Sequence, residues 1–222
     1  SGRDLGPKAP RSTIGIVTGA LGRRGYEVTV TAISARAGPT QMRCRKDALL
    51  AASRLVGEVN RIALEVAPDA RGTVGFMQVS PNSRNVVPGE VKFSVDFRHA
   101  TDGGLAGMDR ALRAVSERVG LETNVTVAIE QAVYFPPCAF DAACIGAVRA
   151  TASELGFSSL DIVSGAGHDA VYVARVAPAA MIFVPCKDGI SHNEIEDATP
   201  SDLAAGCDVL ARAMLARAGV AG

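Results

Sequence analysis

Between Glu90 and Phe97 the side chains alternate without exception: Glu90, Lys92, Ser94 and Asp96 are polar, while Val91, Phe93, Val95 and Phe97 are apolar. A period of two puts one set on each face of a β-strand. The segment therefore predicts a strand with one face on a core and the other face polar. That arrangement belongs to an antiparallel sheet covered on one side only, so the chain must supply strand partners and a layer of helix.

Both are legible on either side. Residues 26–33 alternate through Val28, Val30 and Ala32, residues 73–79 form a strand ending near Pro81, and residues 125–134 form a further long strand. A short β-branched strand over 13–18 comes before them, and Gly22 to Gly25 predict a turn between it and the next strand. From Asp47, Leu50, Leu55, Val59, Ile62 and Val66 recur at helical spacing, with Pro68 as the stop. A second helix covers 105–119 and is expected to end at Gly120. Residues 81–89 are a turn-rich connection. Together these elements predict an α+β unit: a four-stranded antiparallel sheet with two helices on one face and a half-polar opposite face.

Pro136-Pro137 marks a boundary. Beyond it the pattern predicts a helix over 141–155 ended by Gly156, a strand over 160–164, a turn at Gly165-Ala166-Gly167 and a short helix from Asp169. An apolar strand over 180–185 and a final amphipathic helix over 201–218 follow, with Ser201 expected as its N-cap. Met181-Ile182-Phe183-Val184 is apolar on both faces and belongs in a sheet covered on both sides. Two strands are marginal alone, so this tail is expected to complete a larger α/β layer. Residues 1–12, rich in Gly, Pro and charge, read as a linking start.

Hydrophobic residues make up 48% of the 222 and charged residues 21%, which supports a packed core. Lys plus Arg and Asp plus Glu number 23 each, so no electrostatic attraction to nucleic acid or to an anionic membrane is expected. The longest apolar stretches are too short to span a bilayer, and no signal-peptide core is seen, so a cytoplasmic protein is the expectation. Five scattered cysteines without a Cys-x-x-Cys pair predict reduced thiols.

Two of the three histidines fall in polar loops after predicted strands: His168 in Gly165-Ala166-Gly167-His168-Asp169, and His192 in Ser191-His192-Asn193-Glu194. Such loops gather ligands in α/β sheets, and imidazole is a common metal ligand. Loop histidines held only by hydrogen bonds fit the spacing equally well, since no His-x-x-x-His pair is present. Arg98 ends the alternating strand. It suits a substrate carboxylate by its planar fork, or it is a surface arginine paired with Asp96 or Asp102. Asn82 and Asn85 are turn residues, or Asn85 offers its amide to a carbonyl or ureido group.

Taken together, several segments resemble the hydantoinase/carbamoylase amidases, a branch of the M20 metallopeptidase-like group. These are Gly15-Ile16-Val17-Thr18-Gly19, Ala35-Arg36-Ala37-Gly38 with Arg45-Lys46-Asp47-Ala48-Leu49, and Pro81-Asn82-Ser83-Arg84-Asn85-Val86-Val87-Pro88-Gly89. Asp96-Phe97-Arg98-His99, Ser164-Gly165-Ala166-Gly167-His168-Asp169-Ala170 and Ser191-His192-Asn193-Glu194 continue the series in order.

The resemblance implies an α/β catalytic domain interrupted by a lid that makes a homodimer contact. Residues 1–21 would lead from the catalytic domain into the lid, 22–136 would be the lid, and 137–222 the C-terminal part of the catalytic domain. It implies two divalent ions (zinc, manganese, cobalt or nickel), of whose ligands only the last maps here, as His192. The other ligands and the activating glutamate would belong to sequence before Ser1, so this chain alone is expected to retain no metal pair and to be inactive. Asn85 and Arg98 match substrate-holding positions, with Arg98 on the carboxylate. Gly167 matches a backbone contact to substrate, and His168 a structural residue behind the site. Arg36 stands where the family has a histidine near the scissile carbonyl. An arginine there supplies hydrogen bonds to an oxyanion but no general acid near neutral pH. The implied substrate is a carbamoyl or ureido acid. A non-catalytic dimerisation fragment and an M20 dipeptidase-like peptidase are the alternatives.

Overall fold

The computed structural model describes residues 12–68, 70–190 and 193–219. The chain divides into two compact units, Gly22–Pro137 and the pair of segments Ser1–Leu21 and Cys138–Gly222. In chain order the elements are β1 (Ile14–Ala20), β2 (Gly22–Thr31), β3 (Ala35–Arg36), α1 (Ala48–Glu65), β4 (Arg71–Thr73) and β5 (Met77–Ser80). Then come β6 (Val86–Val87), β7 (Glu90–His99), α2 (Asp102–Thr123), β8 (Thr126–Phe135) and β9 (Cys138–Ala139). The last are α3 (Ala142–Glu154), β10 (Ser159–Ser164), α4 (Asp169–Val173), β11 (Met181–Phe183) and α5 (Pro200–Ala218).

In the unit Gly22–Pro137 the antiparallel sheet runs β4-β7-β2-β8, with β5 also paired to β7. The outer row is thus one strand broken in two. Met77–Ser80 lies against the start of β7 and Arg71–Thr73 against its end. Between them the Phe76 carbonyl still accepts from Ser94 N. β2 and β7 pair residue for residue from Gly22↔His99 to Thr31↔Glu90. The alternation in Glu90–Phe97 is realised: Val91, Phe93, Val95 and Phe97 are buried and face both helices. They meet Leu55, Val59 and Ile62 of α1 and Leu105, Met108, Leu112, Val115 and Val119 of α2. The latter five recur at steps of three and four, the stripe a core-facing helix presents. Leu50 departs from the expected stripe and is exposed.

Three local expectations change. Gly22 to Gly25 are not a turn but the first residues of β2, and only Leu21 separates β1 from β2. Gly22 is needed for close approach, because a Cβ there would lie 2.6 Å from the Pro137 ring. Gly120 does not end α2. It lies buried inside the helix, where a Cβ would meet the Val125 carbonyl at 3.2 Å. The stop is Asn124, left-handed at φ 54, as asparagine tolerates. At the other end of the chain the N-cap of α5 is Thr199, whose side chain accepts from Asp202 N, and Pro200 takes the first helical position.

In the second unit β1 is the central strand. β10 pairs parallel to it from Ile14↔Ser159 to Ala20↔Ser164, and β11 pairs antiparallel on its other side through Ile16↔Ile182. The tail therefore does not build its sheet alone; the first strand of the chain completes it. Ile14, Ile16 and Val17 are buried with Ile145, Val148 and Ala152 of α3 and Ala205, Val209 and Ala213 of α5. α5 also carries exposed Leu203, Leu210 and Met214. All five cysteines are unpaired. No described helix is long and apolar enough to cross a membrane.

Two stability predictions follow from the helix pair. Asp47 caps α1 by accepting from Leu49 N and Leu50 N, so Asp47→Ala lowers unfolding stability by about 1 kcal/mol, read as a lower denaturant midpoint at unchanged slope. Glu58 on α1 takes hydrogen bonds from Arg61 and from Arg118 on α2, and these hold its carboxyl below the usual range, Arg61 contributing most. A carboxyl depressed in the folded state stabilises above its unfolded pKa, and that contribution is lost as pH falls through the folded value. Glu58→Gln should therefore destabilise at neutral pH and converge with the parent chain in acid, as measured by denaturant unfolding across pH.

Candidate functional site

The strands β3 and β6 form a two-residue ribbon, Ala35↔Val87 and Arg36↔Val86, just beyond the end of β2 and the start of β7. Ala32 N donates to the Gly89 carbonyl, and Ala37 N to the Asn85 carbonyl at 2.8 Å. The ribbon thus continues the β2–β7 ladder and places Arg36 and Asn85 one register step apart, Arg36 across from Val86 and Asn85 across from Ala37, both exposed. Arg45 staples the loop after Arg36, donating from Nε to the Thr40 carbonyl at 3.1 Å and from Nη2 to the Ala37 carbonyl at 2.5 Å. The Asn85 side chain accepts from the Ser83 hydroxyl at 3.0 Å. Asn82 is the turn residue of this loop, at φ 53.

Arg98 stands near the opposite end of β7. Its Nε donates to Asp96 Oδ1 at 2.9 Å, while Arg23 Nε donates to Asp96 Oδ2 at 2.5 Å. Of the two carboxylates weighed for Arg98, Asp96 is the partner. Asp102 instead accepts from the Tyr134 hydroxyl at 2.8 Å and lies 3.8 Å from Arg24. Eight residue steps at about 3.4 Å each separate Glu90 from Arg98, about 27 Å along the strand, and the Arg36–Asn85 ribbon lies beyond Glu90. One copy of the unit therefore presents two polar clusters at opposite ends of its sheet, too far apart to share one amino-acid-sized ligand.

In the second unit the turn after β10 is built around Ser164. Its buried hydroxyl lies 2.8 Å from His168 Nε2 and 3.2 Å from both the N–H and the carbonyl of Ala166. The hydroxyl has one proton and two lone pairs: with His168 protonated at Nε2 it accepts from that nitrogen and from Ala166 N and donates to the Ala166 carbonyl, and in the other tautomer its proton goes to either Nε2 or that carbonyl. His168 also stacks edge-on to Phe183, with ring centroids 5.6 Å apart, and starts α4 as its N-cap residue. Gly167 is exposed, and a Cβ there would meet nothing within 4 Å. Neither packing nor a left-handed backbone requires glycine at that point. Ser191 and His192 lie outside the described residues. Among the described residues on either side, Lys187 N donates to the Asp197 carbonyl at 2.7 Å.

Among the described residues no three His, Cys, Asp or Glu side chains converge to hold a metal ion. These residues by themselves do not fit a metal pair, and the chemistry that can be derived from them is binding, orientation and hydrogen bonding. Sequence reasoning passed over four residues that organise the candidate positions: Ser164, Arg45, Arg23 and Asp96 as a bridge between two arginines. Ser164 sits within the quoted glycine-turn motif, which was the available signal. Arg23 had none, because it falls in the stretch read as a turn.

The sequence matches peptidase family M20/M25/M40 over residues 6–216. It is 43% identical over 208 residues to an N-carbamoyl-L-amino-acid amidohydrolase of Rhizobium meliloti, covering 94% of this chain and 50% of that protein. It is 37% identical over 210 residues to an allantoate amidohydrolase of Bacillus subtilis, covering 95% of this chain and 49% of that protein. Among solved structures, an amidase of the hydantoinase/carbamoylase family from Burkholderia multivorans superposes with a TM-score of 0.89 at 58% identity, covering 93% of this chain and 50% of that one. The chain spans about half the length of the curated relatives it matches. With a family match that runs through both units, this chain belongs to peptidase family M20/M25/M40, and within it the chain is similar to amidases of the hydantoinase/carbamoylase family.

Proposed function

We propose that the chain is part of a metal-dependent amidohydrolase that cleaves the carbamoyl or ureido C–N bond of N-carbamoyl amino acids or related ureido acids. The observation that carries this reading is the 43% identity, over 94% of the chain, to a relative named as an N-carbamoyl-L-amino-acid amidohydrolase. In this reading Gly22–Pro137 is the lid and the remainder is part of the catalytic domain. Arg98 binds the substrate carboxylate, which its planar cation suits. Asn85 offers its amide to the ureido group, and Arg36 donates to the oxyanion that develops when the carbonyl is attacked. The open space over Gly167 lets a ligand approach the peptide closely. The bond between Ser164 and His168 keeps that turn in shape.

The two clusters at opposite ends of the sheet fit a site shared between two copies, with Arg98 from one lid and Arg36 and Asn85 from the other. The β8 edge is ten residues long and regular from Thr126 to Gln131, with one bulge at Ala132, and an edge of that length pairs readily. We assign the homodimer contact to this edge, and a cytoplasmic location to the protein. His192 would be one ligand of a pair of divalent ions, zinc, manganese, cobalt or nickel, which supply a hydroxide nucleophile and charge stabilisation when bound. The remaining ligands have no counterpart in these 222 residues, so this chain alone would hold no stoichiometric metal and would be inactive.

Elemental analysis tests this directly. About two divalent ions per subunit are expected in the complete native polypeptide that carries these residues, and essentially none in this chain. Stoichiometric metal in this chain alone would overturn that assignment. Hydrolysis of N-carbamoyl-L-amino acids by the complete polypeptide supports the reading, whereas activity on dipeptides alone turns it to the peptidase alternative. Sedimentation at micromolar concentration should give a dimer, and a lysine placed at Ala128 on β8 should shift it toward monomer.

A further inference from the structure

The Arg36 side chain makes no hydrogen bond or ion pair with any described residue, so its placement rests on its main chain. On one side that chain is fixed by the ribbon, where Arg36 pairs with Val86. On the other side it runs into residues 37–44, where burial gives little hold. Gly38, Pro39 and all of residues 41–44 are exposed, and no residue of the loop belongs to a hydrophobic core. At Gly38 a Cβ would meet nothing within 4 Å, so there is open space rather than packing around the turn. Among the described residues, the one side chain that hydrogen-bonds this loop from outside it is Arg45.

Arg45 spends one edge of its guanidinium on two carbonyls: Nε donates to that of Thr40 at 3.1 Å and Nη2 to that of Ala37 at 2.5 Å. Bonds from a charged donor are the stronger kind, and a planar fork fixes the spacing of its two acceptors. Each acceptor residue is tied onward to the candidate site. Ala37 follows Arg36 directly, and its N–H donates to the Asn85 carbonyl at 2.8 Å. Thr40 N donates back to the Arg36 carbonyl at 3.3 Å. The grip has a firm base as well. Arg45 is half-buried, and three residues on, Ala48 is fully buried and donates from N to the Pro88 carbonyl at 3.2 Å. From this geometry we infer that Arg45 is a positioning residue for Arg36: it closes the turn from Arg36 to Thr40 and so fixes where Arg36 meets the oxyanion of the reacting carbonyl. Oxyanion stabilisation depends on donors already in place, and a misplacement of about 1 Å can cost about a hundredfold in rate. The inference rests on the reading that Arg36 donates to that oxyanion.

The test is steady-state kinetics of the complete native polypeptide on an N-carbamoyl-L-amino acid. Arg45→Met is expected to lower kcat by about tenfold and to leave KM within about twofold, because the oxyanion exists only beyond the ground state. Arg45→Lys keeps the charge but has no planar edge to span two carbonyls, so it should recover only part of the loss. Arg36→Gln should lower kcat by about a hundredfold. Adding Arg45→Met to Arg36→Gln should lower it no further, since Arg45 acts through Arg36. Losses that multiply in the double variant would place the action of Arg45 elsewhere and overturn the inference, and so would a parental kcat in Arg45→Lys. Should Arg45→Met fail to fold, the same cycle run with Arg45→Lys decides between coupled and independent losses. If Arg36→Gln lowers kcat while neither Arg45 variant does, only the inference falls. If Arg36→Gln leaves kcat unchanged, the reading of Arg36 falls and the inference falls with it.

Discussion

β2 and β7 pair over ten positions without a shift, and this ladder is the constraint on which the rest of its unit depends. One face of the pair carries Tyr26, Val28, Val30, Val91, Phe93, Val95 and Phe97, all buried and all in the core with α1 and α2. A slip of one residue would turn every one of them outward. The same register that builds the core fixes the opposite face. It sets Arg23 against Arg98 and brings Asp96 between them. At the other end it carries the chain into the ribbon that holds Arg36 beside Val86. Core packing and the placing of both polar clusters are therefore two consequences of one pairing.

The second unit depends in the same way on β1. Its seven residues are nearly all buried, and they pair with strands that follow more than a hundred residues later. Such non-local pairing closes a long loop before it gains stabilising contacts. It is anchored outside the ladder as well: Ile14 N donates to the Ser158 carbonyl at 3.0 Å and Leu21 N to the Ser164 carbonyl at 2.8 Å. The second of these ties the end of β1 to the residue that organises the glycine turn. Sheet closure and the shape of that turn are therefore coupled.

Local patterning foretold most elements, because alternation and helical spacing report burial directly. It failed where a residue serves a contact rather than its own backbone. Gly22 and Gly120 read as breakers, yet each lies within an element at a point where a side chain would strike Pro137 or Val125. The outer row predicted as one strand is broken between Thr73 and Met77. Ser201 read as a cap, but with Pro200 in the first helical position the capping oxygen has to come from Thr199. Of the candidate positions, Arg98 with Asp96 was legible as one of two pairings, while Arg23 was invisible because its strand was read as a turn.

By itself the sequence determined the class of fold and the order of its elements, since the hydrophobic period along each segment decides which face must leave water. It also determined the family, through motifs spread along the chain. What only the tertiary structure decided was which of those motifs meet. Arg36 and Asn85 come together because β3 and β6 extend the β2–β7 ladder. Arg98 is kept from them by the length of β7, and held beside Arg23 by strand register. Register is a relation between segments far apart in the chain, set by the packing of all of them at once, and no single segment encodes it.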